Sequence, residues 1–222
     1  MKIYRLCRLL GVLFVSVIPG LVMPAEAGTI LDNGGPNTTN GFYIHGTDST
    51  ADDFTLGSNT GIWGVGFYFQ NYNGITGWNL DISYNIRADS SGSLGSILAS
   101  GVGQNLVAVD SGLPWCCGGG NAYLVTFNLQ SPFNATGGTT YWLELTGASG
   151  SAPDAWWVTA NANSTHTGYS NFGGGYQDVG QQFAFFLTDT PFASGVPEPS
   201  SYALVLGGLS FLGCMAVRRR TL

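Results

Sequence analysis

Between positions 28 and 195, apolar side chains recur at every second residue. In "NLDISYNIRA", Leu80, Ile82, Tyr84 and Ile86 share one face, and Asp81, Ser83, Asn85 and Arg87 share the other. "NAYLVTFNLQ" aligns Tyr123, Val125, Phe127 and Leu129; "TTYWLELTG" aligns Tyr141, Leu143 and Leu145; "QQFAFFLTD" aligns Phe183, Phe185 and Leu187. A period of two is that of a strand with one packed face and one wet face. The shorter runs "GTILDN", "GFYIH", "DDFTL", "GIWGVGFYFQ", "NLVAVD" and "AWWVT", separated by Gly, Asn, Ser and Pro clusters, read as further strands. No segment of this region shows the periodicity of an amphipathic helix. About ten short strands with loop-rich joints predict an all-β fold, an antiparallel β-sandwich that is jelly-roll-like or a related Greek key. The alternation also predicts directions: Trp142 opposite Tyr141, and Trp156 opposite Trp157.

The two ends break this pattern with continuous apolar runs. Lys2, Arg5 and Arg8 precede an apolar stretch over 9–22, and Ala25-Glu26-Ala27 supplies a small-x-small cleavage site. This predicts a signal peptide over 1–27, helical in its apolar part. At the other end, 202–217 is 16 residues without charge, followed by Arg218, Arg219 and Arg220. As a helix it would span about 24 Å at about 1.5 Å per residue, slightly short of a hydrocarbon core of about 30 Å. A transmembrane helix is expected, with the arginines on the cytoplasmic side and the domain outside. The organisation is then signal peptide 1–27, β-sandwich domain 28–195 and C-terminal signal 196–222.

Val196-Pro197-Glu198-Pro199, then the apolar segment, then the arginine cluster, resembles the PEP-CTERM sorting signal. The resemblance implies a Gram-negative envelope, and export through the secretion machinery with transient residence in the inner membrane. It also implies processing by an exosortase, an integral-membrane protease, and delivery to the cell surface or extracellular matrix. Pro197 and Pro199 deny a helix and hold Glu198 extended, which suits a protease substrate. A second resemblance covers 51–187. "ADDFTLGSNTGIWGVGFYFQ", "GSLGSILASG" and "PFNATGGTTYWLEL" are similar to the exported domain of choice-of-anchor proteins. That likeness implies a β-sandwich and no particular activity; Leu94 stands where the family usually has Pro.

Charge narrows the partners. Within 28–195, eleven Asp and Glu face a single Lys or Arg, Arg87, a net charge of −10 (His neutral) that the whole-chain value of −6 conceals. Such a surface excludes nucleic acid, whose phosphates need Lys and Arg. Neutral polysaccharide and divalent cations remain compatible.

Candidate chemistry follows from the rarer residues. Six tryptophans, with Trp115, Trp142, Trp156 and Trp157 foremost, are candidates to stack sugar rings; core packing is the competing role. Cys116 and Cys117 are adjacent in an oxidising compartment, which leaves a vicinal disulfide, free thiols or intermolecular pairing open. Asp48, Asp52 and Asp53 are weak calcium candidates without EF-hand spacing, against a solvated acidic turn. No nucleophile elbow, zinc motif or phosphate loop occurs, and His45 and His166 are far apart. The expectation is a non-enzymatic structural or adhesive module that binds glycans. The alternatives are a polysaccharide hydrolase using a pair among Asp81, Asp154 and Asp178, and a passive matrix component without a ligand.

Overall fold

The computed structural model describes residues 27–71, 74–116, 120–149, 155–161 and 167–193. Residues 1–26 of the predicted signal peptide, the transmembrane segment 202–217 and the rest of the C-terminal signal 196–222 lie outside this set. Among the described residues, no helix is long and apolar enough to cross a membrane.

Among the described residues, thirteen strands follow in chain order: β1 (Thr29–Asp32), β2 (Pro36–Tyr43), β3 (Ser49–Thr55), β4 (Thr60–Gln70), β5 (Ser83–Asp89), β6 (Leu94–Val102), β7 (Gln104–Pro114), β8 (Asn121–Ala135), β9 (Thr140–Thr146), β10 (Trp156–Ala160), β11 (Tyr169–Asn171), β12 (Tyr176–Asp178) and β13 (Phe185–Thr188). They form two antiparallel sheets, as expected of a β-sandwich. In the first sheet, β7 pairs with β8 and β8 with one edge of β4. The other edge of β4 is shared end to end by β13 and β10, which carry β1 and β2 respectively. The second sheet runs β12-β11-β3-β9-β5-β6.

Alternation sets what is buried. Val65, Phe67 and Phe69 of β4, Val125 and Phe127 of β8, Trp157 of β10 and Phe185 of β13 form the inner face of the first sheet. Phe54, Tyr84, Ile86, Tyr141, Leu143 and Leu145 supply that of the second. Trp157 sits among Phe67, Phe183 and Phe185 and donates its indole N–H to the Ala184 carbonyl at 3.0 Å. Leu80 departs from the expected alternation. Asn79 N bonds the Ser149 carbonyl, Leu80 adopts φ 56°, and β5 starts only at Ser83, so Leu80 faces solvent rather than the core.

One carboxyl lies inside this apolar layer. Asp52 of β3 accepts hydrogen bonds from Phe183 N (2.7 Å), Asn33 Nδ2 (2.9 Å) and Asp53 N (3.0 Å). It thereby ties the second sheet to two segments that border the first. Burial pushes its carboxyl well above the ordinary range, and the three donated bonds offset this only in part. A carboxyl raised in the fold binds its proton more tightly there than in the unfolded chain. Its contribution to stability is therefore complete below about pH 3.9 and is lost as pH rises through the raised value. Asp52→Asn removes that titration and misplaces one donor, at a cost of about 1–3 kcal/mol near pH 4. The gap in melting temperature between wild type and variant should narrow as pH rises from 4 towards 8. A constant gap would contradict this role.

Candidate functional site

The same alternation that buries one set of side chains presents another on each outer face. On the second sheet this outer set is polar yet covered. Arg87 Nε lies 2.7 Å from Glu144 Oε2, which also accepts a bond from Asn85 Nδ2 at 2.8 Å. Tyr176 of β12 donates its hydroxyl to Glu144 Oε1 and accepts a bond from Arg87 Nη2 at 3.3 Å. Beside them, Trp142 donates its indole N–H to Asp89 at 3.0 Å and meets the ring of Tyr169 edge-on at 5.3 Å. The only Lys or Arg and the only glutamate of 28–195 thus neutralise one another. Burial alone would raise Glu144, but the bonds from Tyr176, Arg87 and Asn85, with the charge of Arg87, hold it below the usual carboxylate range. Burial, reinforced by the carboxylate it serves, raises the Tyr176 hydroxyl.

The first sheet is different: its outer face is aromatic and half open. Cross-strand pairing places Tyr43 of β2, Trp156 of β10 and Gln70 of β4 in one row. Trp156 meets Tyr43 edge-on at 5.4 Å and Trp115 at 6.1 Å, while Phe172, from the turn after β11, lies 6.5 Å from Tyr43. Tyr43 and Trp156 are half-buried, Phe172 is half exposed and Trp115 is buried. Two backbone bonds hold Trp115 over β2, Trp115 N to the Gly120 carbonyl and Cys116 N to the Thr38 carbonyl, each 3.0 Å. Gly41 suits the close approach of β10, since a Cβ there would stand 3.0 Å from the Trp157 carbonyl and 3.2 Å from the Trp156 Cβ. Further along the face, Tyr68 and Phe186 are half-buried, with the Phe186 ring in the space that a side chain at Gly66 would fill. Burial, with the charge of Asp32, raises the Tyr68 hydroxyl. Beneath the row, the indole N–H of Trp115 and both amide atoms of Gln70 are buried without a hydrogen-bond partner among the described residues.

The four tryptophan candidates therefore separate. Trp156 and Trp115 share the aromatic row. Trp142 is turned outward as its alternation with Tyr141 requires, but is sealed beneath Tyr169 with its N–H engaged. Trp157 is a core residue, and a ring with no exposed face has nothing to offer a sugar; it is removed from the candidate set. Sequence reasoning missed Tyr43, Phe172 and Gln70. Tyr43 was recoverable, because it precedes Ile44 in a short strand and pairs with the outward residue of a Trp pair.

The acidic candidates do not converge. Asp52 points into the core and Asp53, its neighbour on β3, to the outer face, so the two cannot hold one calcium ion. Asp48 lies in the preceding turn, its N–H bonded to the His45 carbonyl. No group of three or more His, Cys, Asp or Glu among the described residues could hold a metal. Of the hydrolase candidates, Asp81 bonds Trp78 and Ser149, and Asp178 bonds Thr167 and Gly180. Asp178 on β12 and Asp81, leading into β5, are four strand positions apart, roughly 19 Å at about 4.8 Å per strand. That exceeds the roughly 5–9.5 Å across which two carboxylates act on one glycosidic bond. Asp154 lies outside the described residues. Cys116 is disulfide-bonded; Cys117 lies outside the described residues.

Residues 195–220 match the PEP-CTERM protein-sorting motif. The chain carries the signal of an exported, exosortase-sorted protein destined for the cell surface. The motif takes in Pro197, Glu198, Pro199 and all three arginines, Arg218, Arg219 and Arg220. No curated protein matches the chain.

The closed polar layer of the second sheet makes a testable statement. Glu144 is depressed in the fold, so its stabilisation is present above about pH 4.3 and is lost as pH falls through the folded value. Glu144→Gln strips Arg87, whose side chain is 17% exposed, of its counter-charge. The expected loss is roughly 3 kcal/mol at pH 7, shrinking below pH 4, read from urea denaturation midpoints. Equal stability of the two proteins at pH 7 would refute it.

Proposed function

We propose that the domain 28–195 is the cargo of the PEP-CTERM motif: a non-enzymatic, choice-of-anchor-type adhesive module. It holds to neutral polysaccharide of the cell surface or extracellular matrix through the outer face of its first sheet. The observation that carries this reading is the row Phe172–Tyr43–Trp156, rings 5.4–6.5 Å apart and partly exposed, with the buried Trp115 backing Trp156 at 6.1 Å. Sugar rings present apolar C–H faces that stack on such planes, and a stiff sheet lowers the entropy cost of fixing them. The unpartnered atoms of Trp115 and Gln70 supply hydrogen-bonding capacity at one end of the row for a hydroxyl that displaces the ring edge. The acidic body suits an uncharged glycan better than an anionic one, which it would repel.

Because aromatic stacking on a neutral ligand involves no net charge, binding should vary little with salt. Depletion of the exported chain by insoluble neutral polysaccharide, measured at low and high ionic strength, tests this. Trp156→Ala should weaken retention at least about tenfold, whereas Leu80→Ser, off the face, should not. Retention that collapses with salt, or release of reducing ends, would favour a different chemistry.

A further inference from the structure

Building on the glycan-binding reading of the first sheet's outer face, we infer that its polysaccharide carries N-acetylated sugar units whose acetamido groups pair with the Gln70 amide. On β4, Phe69 belongs to the core, so Gln70 beside it turns to the outer face. Gln70 stands opposite Trp156 in the pairing of β4 with β10, and Tyr43 stands opposite Trp156 on the other side. Gln70 is therefore a member of the aromatic row, not of the interior.

The side chain of Gln70 is 0% exposed, yet neither Oε1 nor Nε2 has a hydrogen-bond partner among the described residues. Folds pair nearly all of their buried polar groups, and an orphaned amide marks a place where another molecule completes the bonding. The chain after β7 passes over this end of the row. Trp115 N is bonded to the Gly120 carbonyl, beside β8, and Cys116 N to the Thr38 carbonyl on β2, so the two bonds lie on opposite flanks of the Gln70–Trp156 pair. Trp115 Nε1, also buried and unpartnered, adds one further donor beside Trp156.

The chemistry that answers Gln70 is selective. Its amide sets an acceptor and a donor side by side, and a second amide meets both, giving its N–H to Oε1 and its C=O to Nε2. The acetamido group of an N-acetylhexosamine is such an amide. It is neutral, so the acidic body does not repel it, and its methyl group suits the neighbouring rings of Trp156 and Tyr43. The sugar ring stacks on Trp156, which is partly exposed, and the acetamido arm passes the edge of that ring to Gln70. A single hydroxyl meets only one of the two amide atoms at a time. A vicinal pair of hydroxyls meets both, but buries more polar atoms than Gln70 can pair.

Retention of the exported chain on chitin and on cellulose tests this. The two insoluble polymers share a backbone and differ in the acetamido group; high salt removes the pull of residual chitin amines on the acidic domain. The wild type should be held by chitin at least about tenfold more strongly than by cellulose. Gln70→Met keeps the volume and removes both polar atoms, and should bring that ratio close to unity. Its melting temperature should hold or rise, because no internal bond is lost. Equal retention of the wild type by both polymers, lost in Trp156→Ala, would overturn the acetamido assignment and leave the glycan reading standing. Retention by neither polymer would overturn both. A Gln70→Met protein that keeps the chitin preference would overturn the role of Gln70, and so would one that melts lower, since its amide would then be bonded within the fold.

Discussion

A strand can commit only every second side chain to the core, and this constraint organises the whole molecule. Each pair of adjacent large residues must split between inside and outside. Tyr141 and Trp157 go in; Trp142 and Trp156 go out. With apolar residues at both phases, the outer faces become chemically eventful rather than merely wet. Asp52 and Asp53 obey the same rule with carboxylates. One is drawn into the interior, where three donors and burial contend over its charge; the other is left on the outer face.

The two outer faces then diverge. The second sheet closes its own, using Tyr169 and Tyr176 from the short β11–β12 hairpin as a cover and the Arg87–Glu144 pair beneath it. That pair engages the only arginine and the only glutamate of 28–195 with one another. The first sheet has no comparable polar seal. Its outer face carries the partly exposed rings of Tyr43, Trp156 and Phe172, set at steep angles to one another, and the Phe186 ring occupies the space that a side chain at Gly66 would need. A partly open aromatic face suits a protein whose C-terminal motif directs it to the cell surface.

Most of the strands were legible because alternation is a local signal. "NAYLVTFNLQ" and "TTYWLELTG" lie within β8 and around β9, and "GIWGVGFYFQ" reappears as β4. Strands β6, β11 and β12 were not read as strands. The first is rich in Gly and Ser and sits at an edge where nothing enforces a buried face; the others are three residues long. Leu80 was misread because a turn tied to Ser149 interrupts a periodicity that looks unbroken in one dimension. The site was less legible still. That Trp156 faces outward follows from the sequence, but its neighbours Phe172, Trp115 and Gln70 come from distant segments. No spacing predicts their meeting. The partnership of Arg87 with Glu144, 57 residues apart, was equally hidden.

Footprinting by hydroxyl radicals tests most directly which face the protein works with. It should be carried out on the chain attached to cells and on the chain released from them. The outer face of the first sheet predicts that Tyr43, Trp156 and Phe172 lose reactivity on attachment, while Trp142 and Trp157 stay unreactive in both states. Unchanged labelling of those three rings, or protection appearing instead over the second sheet, would contradict it.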